Sequence, residues 1–206
     1  TIGLPDAEYK AFQECKSMAD KHDYLFKDKG KGVEGLARDL AVFSAFGEGL
    51  QLFASFVMLL NFQRFGKMKG MCQIITWSIR DESHHVENMI KLFHSLIDDN
   101  RNIWNDKFKK TLYQICRDMV TLEDKFIDLA FEMGGVEGLE PKQVKEYIRH
   151  IADRRLLQLG LRPNFKAKIN PLPWLDWVLN GVEHVNFFEN RATEYTKANL
   201  TGQLWS

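Results

Sequence analysis

The sequence has only three cysteines, five prolines, and no excess of either charge. Cys15, Cys72 and Cys116 are odd in number and widely spaced, so they offer neither a disulfide framework nor a zinc cluster. They suit buried free thiols in a reducing cytoplasm. Lys+Arg and Asp+Glu each total 28, which removes a global pull toward nucleic acid or an anionic membrane. Charges interrupt every apolar run before the ~18–20 residues that a membrane span needs. The opening TIGLPDAEYK has no basic n-region and no signal-peptide pattern. Strand alternation, internal repeats and a Gly-rich phosphate loop are all missing as well. What is present is apolar: 45% hydrophobic and 12% aromatic residues, enough over 206 residues for one sizeable core and too rich for a disordered chain.

The apolar residues follow helical spacing. Ala7 to Leu25 reads as a moderately amphipathic helix, closed by the polar turn Lys27 to Gly32. A second helix is expected from about Val33 to Phe62, with Ala41, Ser44, Ala45, Glu48, Leu52, Ser55 and Phe56 on one small or apolar face. After the turn Phe65 to Gly70, a long helix spans Ile74 to Leu96 and ends near Asp98–Asn100. Asp106 to about Met133 carries Phe108, Leu112, Ile115, Met119, Leu122, Phe126 and Leu129 at three- and four-residue steps, stopped by Gly134-Gly135. Pro141 suits the first turn of a fifth helix running to about Leu159, before Gly160. Pro163, Pro171 and Pro173 predict an irregular stretch with Trp174, Leu175 and Trp177 as an apolar plug. The expectation is an all-α bundle of about five helices over residues 1–180, followed by an extended tail over 181–206.

Within the long helix, Glu82 and His85 are three residues apart and project from one side, with Ile75, Ser78, Ile79, Val86 and Met89 as neighbours. Glu48 is a carboxylate on a similarly apolar face of the preceding helix. A carboxylate set among apolar residues is costly unless paired, hydrogen-bonded or bound to a cation. One helix giving a Glu and another a Glu-x-x-His make half the ligand set of a ferritin-like dinuclear carboxylate site, and oxygen with imidazole donors suits iron or manganese. A lone Glu-x-x-His is more often a solvated pair; Glu48 is what raises the metal reading. His84 points about 100° away from His85 and is expected at the surface or behind a ligand. His22, His94, His150 and His184 show no ligand spacing and read as ordinary polar positions.

Phe46-Gly-Glu-Gly-Leu-Gln-Leu-Phe-Ala-Ser-Phe56, the Asn61–Gly70 turn and Ile75-Thr-Trp-Ser-Ile-Arg-Asp-Glu-Ser-His-His85 resemble segments of the small, radical-generating subunit of class I ribonucleotide reductase. Asn170-Pro-Leu-Pro-Trp174 and Asn186–Tyr195 are similar to the C-terminal region of that family. The segments come in the right order and cover nearly the whole chain, but they match only the C-terminal part of the family's subunit. The resemblance implies a ferritin-like bundle in which Glu48, Glu82 and His85 are three of six ligands to a dinuclear iron or manganese centre. Phe56 would line the apolar pocket beside the metals. Asp81 would hydrogen-bond a ligand histidine within the radical-transfer route, with Ser55 supporting it, and Glu189 and Tyr195 would belong to the tail that relays the radical. The chemistry implied is oxygen activation at the metals and transfer of an oxidising equivalent to a large catalytic subunit, which reduces the nucleotide. Completed small subunits are expected to pair as a dimer.

The family's first carboxylate ligand and first Glu-x-x-His should lie before Glu48. Residues 1–47 hold one histidine, His22, and neither Met18 nor Ala19, which precede it by four and three positions, is acidic. The expectation is therefore an incomplete bundle whose remaining ligands come from a complementary N-terminal chain or segment. A degenerate, non-catalytic scaffold or regulatory binder of the large subunit is the alternative. Iron storage on the same fold is disfavoured by the Tyr195 tail.

Overall fold

The computed structural model describes residues 14–27, 30–132, 134–167 and 169–180. These residues fold into α1 (Lys16–Phe26), α2 (Gly32–Leu40), a π-helical segment (Ala41–Gln51), α3 (Phe53–Arg64), α4 (Lys69–Asp99), a 3₁₀ turn (Arg101–Ile103), α5 (Asp106–Glu132), α6 (Pro141–Gln158) and α7 (Pro173–Asn180). Among the described residues the one β pairing is an isolated bridge between Val136 and Leu139. The all-α, ferritin-like expectation stands. Tyr195, Glu189 and the rest of 181–206 lie outside the described residues, as do 1–13.

The periodic stripes become the core. On α5, Phe108, Leu112, Ile115, Cys116, Met119, Val120, Leu122 and Ile127 are buried, a band wide enough to pack against both α1 and α6. On α4 the buried set is Cys72, Thr76, Ile79, Val86, Ile90, Phe93 and Ile97, which packs on α3 and the π-helical segment. α6 begins with Pro141 in its first turn, where a missing N–H costs nothing, and the Glu140 N–H donates to the Gln143 side chain at 3.0 Å. It ends at Gly160, whose φ of 79° is the left-handed closure that a side chain would strain.

Three expectations need correction. The stretch after Pro171 is helical rather than an irregular plug: Pro173 opens α7 as Pro141 opens α6. Gly32–Arg64 forms one continuous helical run, long and apolar enough to match a membrane span, because the single charge Glu48 does not interrupt the 24 residues between Asp39 and Arg64. Its span-like window is 61% buried inside the bundle, so core packing accounts for its composition. Cys72 and Cys116 are buried as expected, but Cys15 is exposed.

The loop after α6 is organised by a residue that spacing did not reveal. Asp153, 4% exposed, accepts hydrogen bonds from the backbone N–H groups of Asn164, Phe165 and Ala167 at 2.7–2.9 Å. One buried carboxylate thus gathers three otherwise orphaned donors.

Candidate metal centre

The sequence around Glu48 dictates an unusual backbone. Ala41, Ser44, Ala45, Gly47 and Gly49 are small and buried, allowing the segment to pack closely on α4. Its turns are widened to the i→i+5 pattern. A Cβ on Gly47 would stand 3.2 Å from the Val42 carbonyl, and one on Gly49 would stand 2.9 Å from that of Ser44. Each contact is with the carbonyl five residues back. The sequence pattern predicted a plain α-helix here, because small and apolar residues at three- and four-residue steps suit either winding. π-Helical turns occur mostly at functional sites.

Glu48 projects from this segment toward Glu82 and His85 on α4. One ligating atom from each residue lies within 4.8 Å of the others. His85 Nδ1 is 3.0 Å from Glu48 Oε2 and 3.9 Å from Glu82 Oε2. Glu48 Oε2 is buried yet makes no aligned hydrogen bond, His85 Nδ1 included. Burial lifts the Glu48 carboxyl above the ordinary carboxylate range, the His85 imidazole pulls it down, and the Glu82 carboxylate lifts it further.

The ligand face is less enclosed than the apolar neighbours suggested. The side chains of Glu48, Glu82 and His85 are 36%, 32% and 51% exposed. The buried stripe of α4 runs through Ile79 and Val86, and Glu82 and His85 sit at its margin, facing a side that no described helix covers. Leu52, one turn beyond Glu48, is likewise 37% exposed. His84 is exposed. His94 bonds the Gln158 carbonyl through Nε2, and His150 bonds that of Ala167 through Nδ1, the structural positions expected of them.

The remaining candidates are close by but not assembled. Phe56 is half-buried and packs edge-on against Phe53, with centroids 5.8 Å apart. Ser55 is half-buried, and no hydrogen bond joins it to Asp81 among the described residues. Asp81 is 70% exposed; its carboxylate lies 4.0 Å from Arg80 Nε and bonds no histidine among those described. Behind the ligand face the structure buries three charges that apolar periodicity passed over, Lys21, Glu123 and Arg155. An acid in the middle of an apolar stripe, as Glu123 is on α5, was the available signal.

The family profile "Ribonucleotide reductase, small chain" matches residues 2–171. A probable ribonucleoside-diphosphate reductase small subunit of invertebrate iridescent virus 3 is 45% identical over 98% of the chain and 58% of its own length. The corresponding protein of invertebrate iridescent virus 6 is 41% identical over all of the chain and 68% of its own length. The chain thus spans about six-tenths of the length of the curated relatives it matches. A solved structure described as a putative class I ribonucleotide reductase from Bacillus halodurans superposes with a TM-score of 0.77 at 20% identity, covering 85% of this chain and 65% of that one. At that identity the likeness speaks to the fold alone.

Proposed function

The chain belongs to the ribonucleotide reductase small-chain family, and from that premise we propose that it supplies part of a dimetal centre and the radical-transfer tail of a ribonucleoside-diphosphate reductase. The observation that carries this reading is the convergence of Glu48, Glu82 and His85 within 4.8 Å, drawn from two helical elements. Two carboxylates and an imidazole are a donor set for iron or manganese. A cation between them would satisfy the unbonded Glu48 Oε2 and offset the repulsion between Glu48 and Glu82. When bound, a dinuclear iron or manganese centre supplies oxygen activation and a strong one-electron oxidant.

This chain's own residues would do the rest. Glu48, Glu82 and His85 hold one side of the centre, and Phe56 keeps water from it. Asp81, supported by Ser55, fixes the tautomer and orientation of a ligand histidine. Glu189 and Tyr195, in a tail over 181–206, pass the oxidising equivalent toward the large catalytic subunit, where nucleotide is reduced. A helical domain over 1–180 carries the metal side. The three further ligands come from a complementary N-terminal chain or segment; the exposure of the ligand face and of Leu52 supports such a covering. Completed small subunits pair as dimers and work in the cytoplasm.

The test is reconstitution. The chain is loaded with ferrous or manganous ion under oxygen, alone and together with a polypeptide bearing an acidic ligand and a second Glu-x-x-His on helices. Metal content and the electron paramagnetic resonance signal are then measured. The reading expects little retained metal from the chain alone, two metals and a protein radical from the pair, and neither with Glu82→Ala. Two tightly held metals on the isolated monomer would sink the shared-site claim. A radical indifferent to Glu82→Ala would favour the scaffold alternative.

A further inference from the structure

A widened helical segment that reverts to α-winding at Leu52 leaves backbone groups at the junction without their regular partners. Three buried charges from three other helices meet there. Arg155 of α6, 7% exposed, donates its Nε–H to the Gly49 carbonyl at 2.8 Å. Lys21 of α1, 8% exposed, donates to the Gln51 carbonyl at 3.3 Å. Glu123 of α5 is fully buried, pairs with Lys21 at 2.5 Å, and lies close enough to the Ala54 N–H for that amide to favour its charged form. The Gln51 side chain adds a bond to the Met119 carbonyl at 3.4 Å. Gly49 itself is shaped to this arrangement, since a Cβ there would stand 2.7 Å from Arg155 Nε.

Buried charges of this kind are poor investments in stability. Desolvating Lys21 and Glu123 costs free energy that their mutual attraction only partly offsets, and an apolar replacement of similar volume is often as stable or more so. Both Glu123 oxygens also lack an aligned hydrogen bond. Arg155 and Lys21 share a target, the Gly49 and Gln51 carbonyls just after Glu48, and Glu123 holds Lys21 on it. We propose that Arg155, Lys21 and Glu123 are positioning residues: they clamp the C-terminal end of the π-helical segment and so aim Glu48 at Glu82 and His85. The residues of a widened turn advance by less than the ~100° of an α-helix. Relaxation of the segment to α-winding would therefore rotate Glu48 about the helix axis, away from its two partners on α4. The value of the clamp to metal binding rests on the metal reading above; the clamp itself does not.

The experiment uses the full chain and two readouts. Amide hydrogen exchange reports on residues 41–56 without any metal. Paramagnetic broadening of the His85 ring resonances by manganous ion reports on the ligand face. The variants are Arg155→Met, Arg155→Lys, and the apolar double replacement of the pair, Lys21→Met with Glu123→Leu. The clamp predicts roughly tenfold or faster exchange across 41–56 in Arg155→Met, with α5 and the far end of α4 unchanged. Arg155→Lys should recover part of the protection. The double replacement should keep the melting temperature while loosening 41–56 and weakening the broadening of His85 severalfold. A general role in stability would instead raise exchange throughout the bundle in proportion to lost melting temperature, and that result overturns the proposal. So does unchanged protection of 41–56 in both Arg155→Lys and the double replacement. If 41–56 loosens as expected but manganous ion leaves His85 untouched even in the wild type, the metal reading fails and the clamp stands.

Discussion

His85 Nδ1 stands 3.0 Å from Glu48 Oε2 across the packing interface between α4 and the π-helical segment. The pair is a third to a half exposed, so its Coulombic attraction is largely screened and contributes little to folding. Its placement is better explained by what it can bind. His85→Ala and Glu82→Ala should each leave the unfolding free energy within about 0.5 kcal/mol of wild type, measured by urea denaturation. A loss several times larger would mean that these side chains serve the fold.

Asp153 behaves in the opposite way. It is buried and accepts three backbone N–H groups from the loop that follows α6. Asp153→Ala leaves those donors unpaired in a closed environment and should cost about 3 kcal/mol or more, given ~1–3 kcal/mol for each buried unsatisfied group. Asp153→Asn keeps one carbonyl acceptor and should cost less. Equal, small losses for both variants would show that water replaces the carboxylate without penalty.

Glu123 should give stability a pH dependence of definite sign. Burial pushes its carboxyl up, Lys21 and the Ala54 N–H oppose that, Asp124 adds to it, and the net position is about 7 against the ordinary 4.5. Between those values the unfolded chain has lost the proton and the folded chain still holds it. Stability attributable to Glu123 is therefore greatest below pH 4.5, falls as pH rises to about 7, and is flat above, a change on the order of 3 kcal/mol. The difference curve, Glu123→Gln minus wild type, should rise through that window and then level. Loss of the partner of Lys21 displaces the whole curve without changing its shape. A flat difference curve would place the carboxyl near its ordinary value.

Tyr195 and Glu189 lie beyond the described residues, and their proposed role rests on the resemblance of Asn186–Tyr195 to the family's C-terminal region. Tyr195→Phe should leave metal content and radical formation in the reconstituted small subunit unchanged while reducing nucleotide turnover with the large subunit to background. A turnover loss matched by an equal loss of metal would locate the defect in assembly.

The legible and illegible parts of the fold divide along physical lines. The long helices α4, α5 and α6 were readable because burial of one face imposes a 3.6-residue period, as in Phe108–Leu112–Ile115–Met119. The convergence of Glu48 with Glu82 and His85 was foreshadowed because Glu82 and His85 share one side of a helix and Glu48 breaks the apolar pattern of the preceding one. The π-helical winding was not, since Ala41, Ser44, Ala45 and Glu48 fit both windings and the choice falls to tertiary contacts. Lys21, Glu123 and Arg155 were passed over because a lone charge normally marks a solvated face. Their burial depends on partners 30 to 106 positions away, a separation no local pattern carries. Asp153 escaped because its partners are backbone N–H groups of the following loop, which carry no residue signature, and α7 because three prolines outweighed the favourable place of the third.

Where manganous ion goes decides whether Glu48, Glu82 and His85 form a metal site. Two-dimensional NMR of the imidazole resonances, recorded while manganous ion is added in substoichiometric steps, needs only weak binding to read a location. His85 should broaden first and neighbouring His84 next, His94 and His150 should stay sharp, and Glu48→Ala or Glu82→Ala should abolish the preference. Broadening spread evenly over the histidines, or a His85 response that survives both substitutions, would contradict such a site.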